Sequence, residues 1–162
     1  MRRAWLLLAL ATMAVASASA AAQTIAFGVG GQLTGEANGQ VRVPVYADLR
    51  AASGVALGSY TLRLTWDPNV LYFESVNEGS FGQPTLGADS AYYGVLKVGG
   101  LSVDGAQGLV DLFAVNFSIE ASQTTAVTLT VTEAIAAGTF TDLTPQVTVV
   151  SGLYCPAAGR WG

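Results

Sequence analysis

The sequence predicts an all-β fold, an antiparallel jelly-roll or Greek-key β-sandwich of eight or nine strands. Three observations predict it. Val, Thr, Leu and Tyr recur in short runs that alternate with polar residues, and Gly, Asn, Asp and Pro interrupt those runs at intervals of roughly ten residues. No segment carries the i, i+3, i+4 apolar stripe of an amphipathic helix.

The chain opens with Met1, Arg2 and Arg3, then an apolar run from Ala4 to Val15, then small residues from Ala16 to Ala22. Positive charge, a short apolar stretch and Ala-x-Ala in that order form a signal peptide over residues 1–22, so the protein is expected to be secreted from a bacterial cell. The apolar run falls short of the roughly 20 residues that span a bilayer, so no membrane insertion is expected after cleavage. Ala18-Ser19-Ala20 and Ala20-Ala21-Ala22 are both suitable cleavage sites.

Residues 23–152 are expected to form one sandwich domain, a length sufficient for a single core. Gln40 to Asp48 alternates Val41, Val43 and Val45 with Arg42, Pro44 and Tyr46. Pro44 has no N–H to give a ladder, which predicts an edge strand or a bulge there. Gly58 to Trp66 puts Tyr60, Leu62, Leu64 and Trp66 on one face as core, and Ser59, Thr61, Arg63 and Thr65 on the other. Asp67-Pro68-Asn69 then supplies a type I turn. Val70 to Val76 resumes as a strand, and Asn77 to Asp89 is read as a loop.

Ser90 to Val103 is read as two short strands or one strand bent at Gly99-Gly100, with a turn over Asp104 to Gly108. Leu109 to Glu120 follows as a central strand, because Leu109, Phe113, Val115, Phe117 and Ile119 share a parity broken by Asp111 alone. Ala126 to Ile135 and Gln146 to Ser151 complete the set. Residues 153–162 leave the strand pattern and are read as a connector toward a further, C-terminal module.

Composition narrows the function. Without the signal segment, five basic residues (Arg42, Arg50, Arg63, Lys97 and Arg160) face eleven acids, which disfavours nucleic acid and anionic membranes as partners. Histidine is absent, which removes His-based triads and His-metal sites. The single cysteine, Cys155, has no partner for an internal disulfide and either pairs outside the domain or has no role. The carboxylates are scattered over turns and strand ends rather than paired as in a glycosidase, so no catalysis is expected. No D-x-[DN]-x-[DN]-G spacing occurs, and neither a metal nor another cofactor is expected. Asn116-Phe117-Ser118 matches the N-glycosylation triplet but lies inside an expected central strand, where chance accounts for it.

The segment from Ala56 to Gly79 resembles the cohesin family of exported bacterial modules. The shared features are Val43-Pro44-Val45, the Tyr60 to Leu64 alternation, Trp66-Asp67-Pro68 followed by Val70-Leu71, the valine strand ending at Gly79, and Gly108 to Phe117, all in the family's order. The likeness runs from about Gln40 to Ser151, and the tail also resembles the lead into a dockerin. The resemblance implies a nine-stranded jelly roll whose flat face, built in part by the strand before the Asp-Pro turn, docks a dockerin helix. On this sequence that face carries Ser59, Thr61, Arg63 and Thr65 with Lys97 at its edge; Ser59 and Thr61 stand where many cohesins have Asn and Asp.

The expected function is therefore that of a monomeric, non-catalytic module that recognises a dockerin-like protein in an extracellular polysaccharide-degrading or surface assembly. The alternative is a carbohydrate-binding module attached to polysaccharide, and a third reading is a structural domain without a specific ligand. A coplanar row of exposed aromatics would favour sugar. A flat Ser/Thr face flanked by Arg63 and Lys97 would favour protein.

Overall fold

The computed structural model describes residues 24–35 and 38–157. The signal segment 1–22 and residues 158–162 of the expected connector lie outside the described residues. Among the described residues eleven strands run in order: β1 (Ile25–Val29), β2 (Gln32–Gly35), β3 (Gln40–Asp48), β4 (Leu57–Thr65), β5 (Leu71–Glu78), β6 (Thr85–Gly87), β7 (Val95–Ala106), β8 (Leu109–Ile119), β9 (Thr125–Ala136), β10 (Val147–Val150) and β11 (Gly152–Pro156). They form a five-stranded sheet, β10-β1-β3-β8-β5, and a six-stranded sheet, β2-β11-β9-β4-β7-β6. The sandwich is the one the alternation predicts. The count exceeds eight or nine because β1, β2, β6 and β11, of three to five residues each, are too short to show a period of their own.

Both ends of the described chain cross from one sheet to the other. The chain leaves β1 for β2 through Gly30 and Gly31, and leaves β10 for β11 through Ser151. β1 with β10 and β2 with β11 pair in parallel, while the other pairs are antiparallel. Tyr154 is fully buried, and its hydroxyl donates to the Gly35 carbonyl at 3.1 Å. The connector expected from residue 153 is thus corrected in its first part, where Gly152–Pro156 is a strand of the sheet.

The core is the inward set of both sheets. On β3 these are Val41, Val43, Val45 and Ala47; on β4 they are Tyr60, Leu62 and Leu64; Phe27, Leu112, Phe113, Val115 and Phe117 fill the space between. Trp66 closes the end of β4: its indole N–H donates to the Leu71 carbonyl at 2.8 Å, and its ring meets Phe117 edge-on at 4.9 Å. The turn after it forms as expected, with Asp67 Oδ1 accepting from the Asn69 backbone N–H at 2.9 Å.

Bulges bear on two expectations. Pro44 lies on β3, an inner strand between β1 and β8, and not on an edge. Its carbonyl accepts from Gly30 N–H just past the end of β1, so the ring nitrogen faces a ladder that has already ended. The bulge lies one residue on: Val45 pairs with Phe113 and Tyr46 with Asp111, which makes Leu112 the extra residue of β8. That insertion switches the parity of β8. Asp111 and Leu109 therefore face solvent while Val110 and Leu112 are buried.

Candidate functional site

β4 is the natural place to look for a recognition surface, because it lies inside its sheet with β9 on one side and β7 on the other. Burial of Tyr60, Leu62 and Leu64 on one side forces Ser59, Thr61, Arg63 and Thr65 onto the other, since successive side chains alternate across a strand. All four stand on the outer face, Arg63 exposed and the rest half-buried among their neighbours. Across β7, Ser59 is in register with Leu101, Thr61 with Gly99, Arg63 with Lys97 and Thr65 with Val95. Across β9, Thr61 pairs with Glu133, Arg63 with Thr130 and Thr65 with Thr128.

The result is a field of hydroxyls, each able to donate and accept a hydrogen bond. Gly99 leaves the row beside Thr61 without side-chain bulk. Gly100, next to it, is needed for another reason: a Cβ there would stand 2.4 Å from the Tyr60 ring. Tyr60 packs at 5.2 Å from Phe81 and 6.3 Å from Phe113. Its hydroxyl is buried without a hydrogen-bond partner, and burial pushes its pKa well above the ordinary tyrosine value.

Arg63 and Lys97 lie on neighbouring inner strands, so they occupy the middle of the face rather than its edge. Like charges directly opposite each other repel. Among the described residues neither forms an ion pair; the ion pair found there is Arg50 with Asp48 at 2.6 Å, on the other sheet. Beside Thr61, an open concavity of about 600 Å³ is lined by Thr132, Glu133, Ile135, Asp142 and Thr144. Hydrogen bonds from Thr144 hold the Asp142 carboxyl below the usual carboxylate range.

Sequence reasoning missed the apolar end of this face. Leu101 and Val103 share the parity of Lys97 and Gly99, a signal that shows when Val95–Ala106 is read as one strand. Phe140 sits in the turn after β9, where no periodicity marks it.

The aromatics do not form a row. Tyr60 and Trp66 are core, as expected from parity. Tyr72, on the outer side of β5, lies 5.9 Å from Tyr92 with the rings tilted by 43°. Tyr92 and Tyr93 both face solvent, because Ala91–Tyr93 is a 3-10 turn and does not alternate. In the glycosylation triplet, Asn116 spends its amide on Ser75 at 2.9 Å and Asn77 at 2.8 Å. Among the described residues, no three side chains of His, Cys, Asp or Glu are grouped to hold a metal ion.

Comparison with known proteins gives a consistent result. The family model described as "Cohesin domain" matches residues 26–152. A non-cellulosomal cohesin from the archaeon Archaeoglobus fulgidus superposes with a TM-score of 0.68 at 22% identity, covering 85% of this chain and 94% of its own. The sixth cohesin of Acetivibrio cellulolyticus scaffoldin B, solved in complex with a Cel5 dockerin variant, gives 0.67 at 19% identity and covers 83% and 99%. A cohesin from Clostridium thermocellum, solved in the OlpA cohesin–dockerin complex, gives 0.69 at 10% identity with the same coverage. No curated protein is matched by sequence.

Proposed function

The chain belongs to the cohesin domain family, and from that premise we propose that it is a non-catalytic docking module whose β4 face receives a dockerin-type protein. The observation that carries the reading is the unpaired Arg63–Lys97 couple at the centre of a hydroxyl-rich sheet face. Binding energy concentrates near the centre of an interface, where water is excluded and a charge must find its complement. Ser59, Thr61 and Thr65, together with Thr128 and Thr130 across β9, supply short donors and acceptors that fix the orientation of a docked helix. Two of the structurally similar cohesins were solved holding dockerins, which supports the class of partner.

In this reading residues 1–22 direct export, and the mature domain acts outside the cell as a monomer within a polysaccharide-degrading or surface assembly. The acidic balance of the mature chain disfavours nucleic acid. Polysaccharide is the weaker candidate, because the exposed tyrosines are tilted and lie off the β4 face. The test is direct. The mature domain is immobilised and challenged with a panel of calcium-loaded dockerin modules and, separately, with insoluble cellulose. Saturable one-to-one capture of a dockerin supports the proposal; retention by cellulose with no dockerin captured contradicts it.

A further inference from the structure

The apolar end of the β4 face and its basic centre ask for two different complements at a fixed separation. Leu101 and Val103 are exposed by 75% and 88%, and Phe140 by 81%. With Ile135 and Ala137 they border a shallow cleft of about 400 Å³ whose rim includes Ser59. Apolar side chains grouped in the open mark a contact surface more often than chance. Phe140 is also held there at a conformational cost, since its φ of 54° lies in the left-handed region that bulky residues rarely adopt. The turn that holds it is closed by the Phe140 N–H donating to the Ala136 carbonyl at 3.1 Å and the Ala136 N–H donating to the Thr141 carbonyl at 2.9 Å.

Four residues along β4 from the Ser59–Leu101 pair stand Arg63 and Lys97, opposite each other. Four strand residues span about 13 Å. On a helix lying along β4, that is two to two and a half turns, or about seven to nine residues.

We propose that this face reads its partner in two parts: the cleft of Leu101, Val103 and Phe140 takes an apolar side chain of a docked helix, while Arg63 and Lys97 take a carboxylate about seven to nine residues along it. The inference rests on the β4 face being the docking site and adds the chemistry of the partner. A like-charge couple that repels itself in the free protein is relieved when one carboxylate sits between the two groups, and the cleft is dried by the same event. Neither half suffices for specificity. A uniformly acidic helix leaves the cleft wet, and a uniformly apolar one leaves two desolvated cations unpaired.

The experiment is a selection. A displayed library of rigid helical hairpins, randomised along one helix face, is panned on the mature domain. Enriched clones are then measured against three variants: Thr61→Arg, Leu101→Ser with Phe140→Ser, and Arg63→Glu with Lys97→Glu. The proposal expects an apolar residue and an Asp or Glu separated by about seven to nine positions, and at least about a tenfold loss of affinity for the second and third variants.

Clones blocked by Thr61→Arg but indifferent to both other variants overturn the two-part reading and leave the docking face standing. Clones indifferent to all three overturn both, as does a failure to enrich any clone. Concentration-dependent dimerisation of the mature domain that disappears with Phe140→Ser also overturns the proposal, because it would make the cleft a self-contact.

Discussion

Removing Trp66 tests whether the strand before the Asp-Pro turn is anchored from within. The side chain is 7% exposed, meets Phe117 at 4.9 Å and donates to the Leu71 carbonyl. Trp66→Ala removes its packing at about 3–5 kcal/mol and leaves that carbonyl without its donor, about 1 kcal/mol more. With a urea m-value of about 2 kcal/mol per molar for a domain of this size, the unfolding midpoint should fall by about 2–3 M. Because that loss is a large share of a typical domain's stability, Trp66→Phe is measured beside it. It keeps much of the contact with Phe117 and should lose about 1.5–3 kcal/mol. The assay is equilibrium urea unfolding followed by far-ultraviolet circular dichroism. A midpoint shift below about 0.5 M for Trp66→Ala, with dockerin capture lost, would refute the core assignment and make Trp66 a binding residue.

Tyr60→Phe should raise stability by about 1 kcal/mol in the same assay, because it deletes a buried hydroxyl that has no partner. Burial also raises the Tyr60 pKa above the ordinary tyrosine value, so stability falls as pH rises past about 10, a loss that Tyr60→Phe should remove; equal alkaline sensitivity in both proteins would argue against it. Gly100→Ala should cost about 1–3 kcal/mol by forcing the Tyr60 ring to move, and a neutral result would show that the ring has room. Hydrogen bonds from Arg50 hold the Asp48 carboxyl down at about 2, well below the ordinary carboxylate range. Its contribution is therefore complete above pH 4 and fades as pH falls toward 2, and since the pair is largely solvated, Asp48→Asn should cost less than about 1 kcal/mol at pH 7. A carboxyl titration by NMR with a midpoint near 4 would contradict the pairing.

The parts legible in the sequence are those governed by alternation alone. β3 and β4 each bury the residues that their parity predicts, and the outward set of Ser59, Thr61, Arg63 and Thr65 follows from the same rule. Alternation cannot reveal where one extra residue enters a strand. Leu112 on β8 and the shift between Thr61 and Leu62 against β9 are such insertions, and they depend on the partner strand. The parallel pairings of β10 and β11 were hidden for a related reason: each joins residues more than a hundred positions apart, with four or five residues of pattern to signal it. In the site, Thr128 and Thr130 could be read from β9's own alternation, whereas the placing of Phe140 and Leu101 on one cleft is set by how the turn after β9 folds.

The central claim is that the outer face of β4 docks the partner, and the double variant Thr61→Arg with Arg63→Glu tests it most directly. Both positions face away from Tyr60, Leu62 and Leu64, so stability should stay within about 0.5 kcal/mol of the parent. At the centre of a docked interface, added bulk and a reversed charge should cost 2 kcal/mol or more, about a thirtyfold loss of affinity. The measurement is titration calorimetry of parent and variant with the calcium-loaded dockerin that the parent captures, alongside urea unfolding of both. The account predicts unchanged unfolding with at least about a thirtyfold weaker Kd; an equally stable variant that binds the dockerin as tightly as the parent would contradict it.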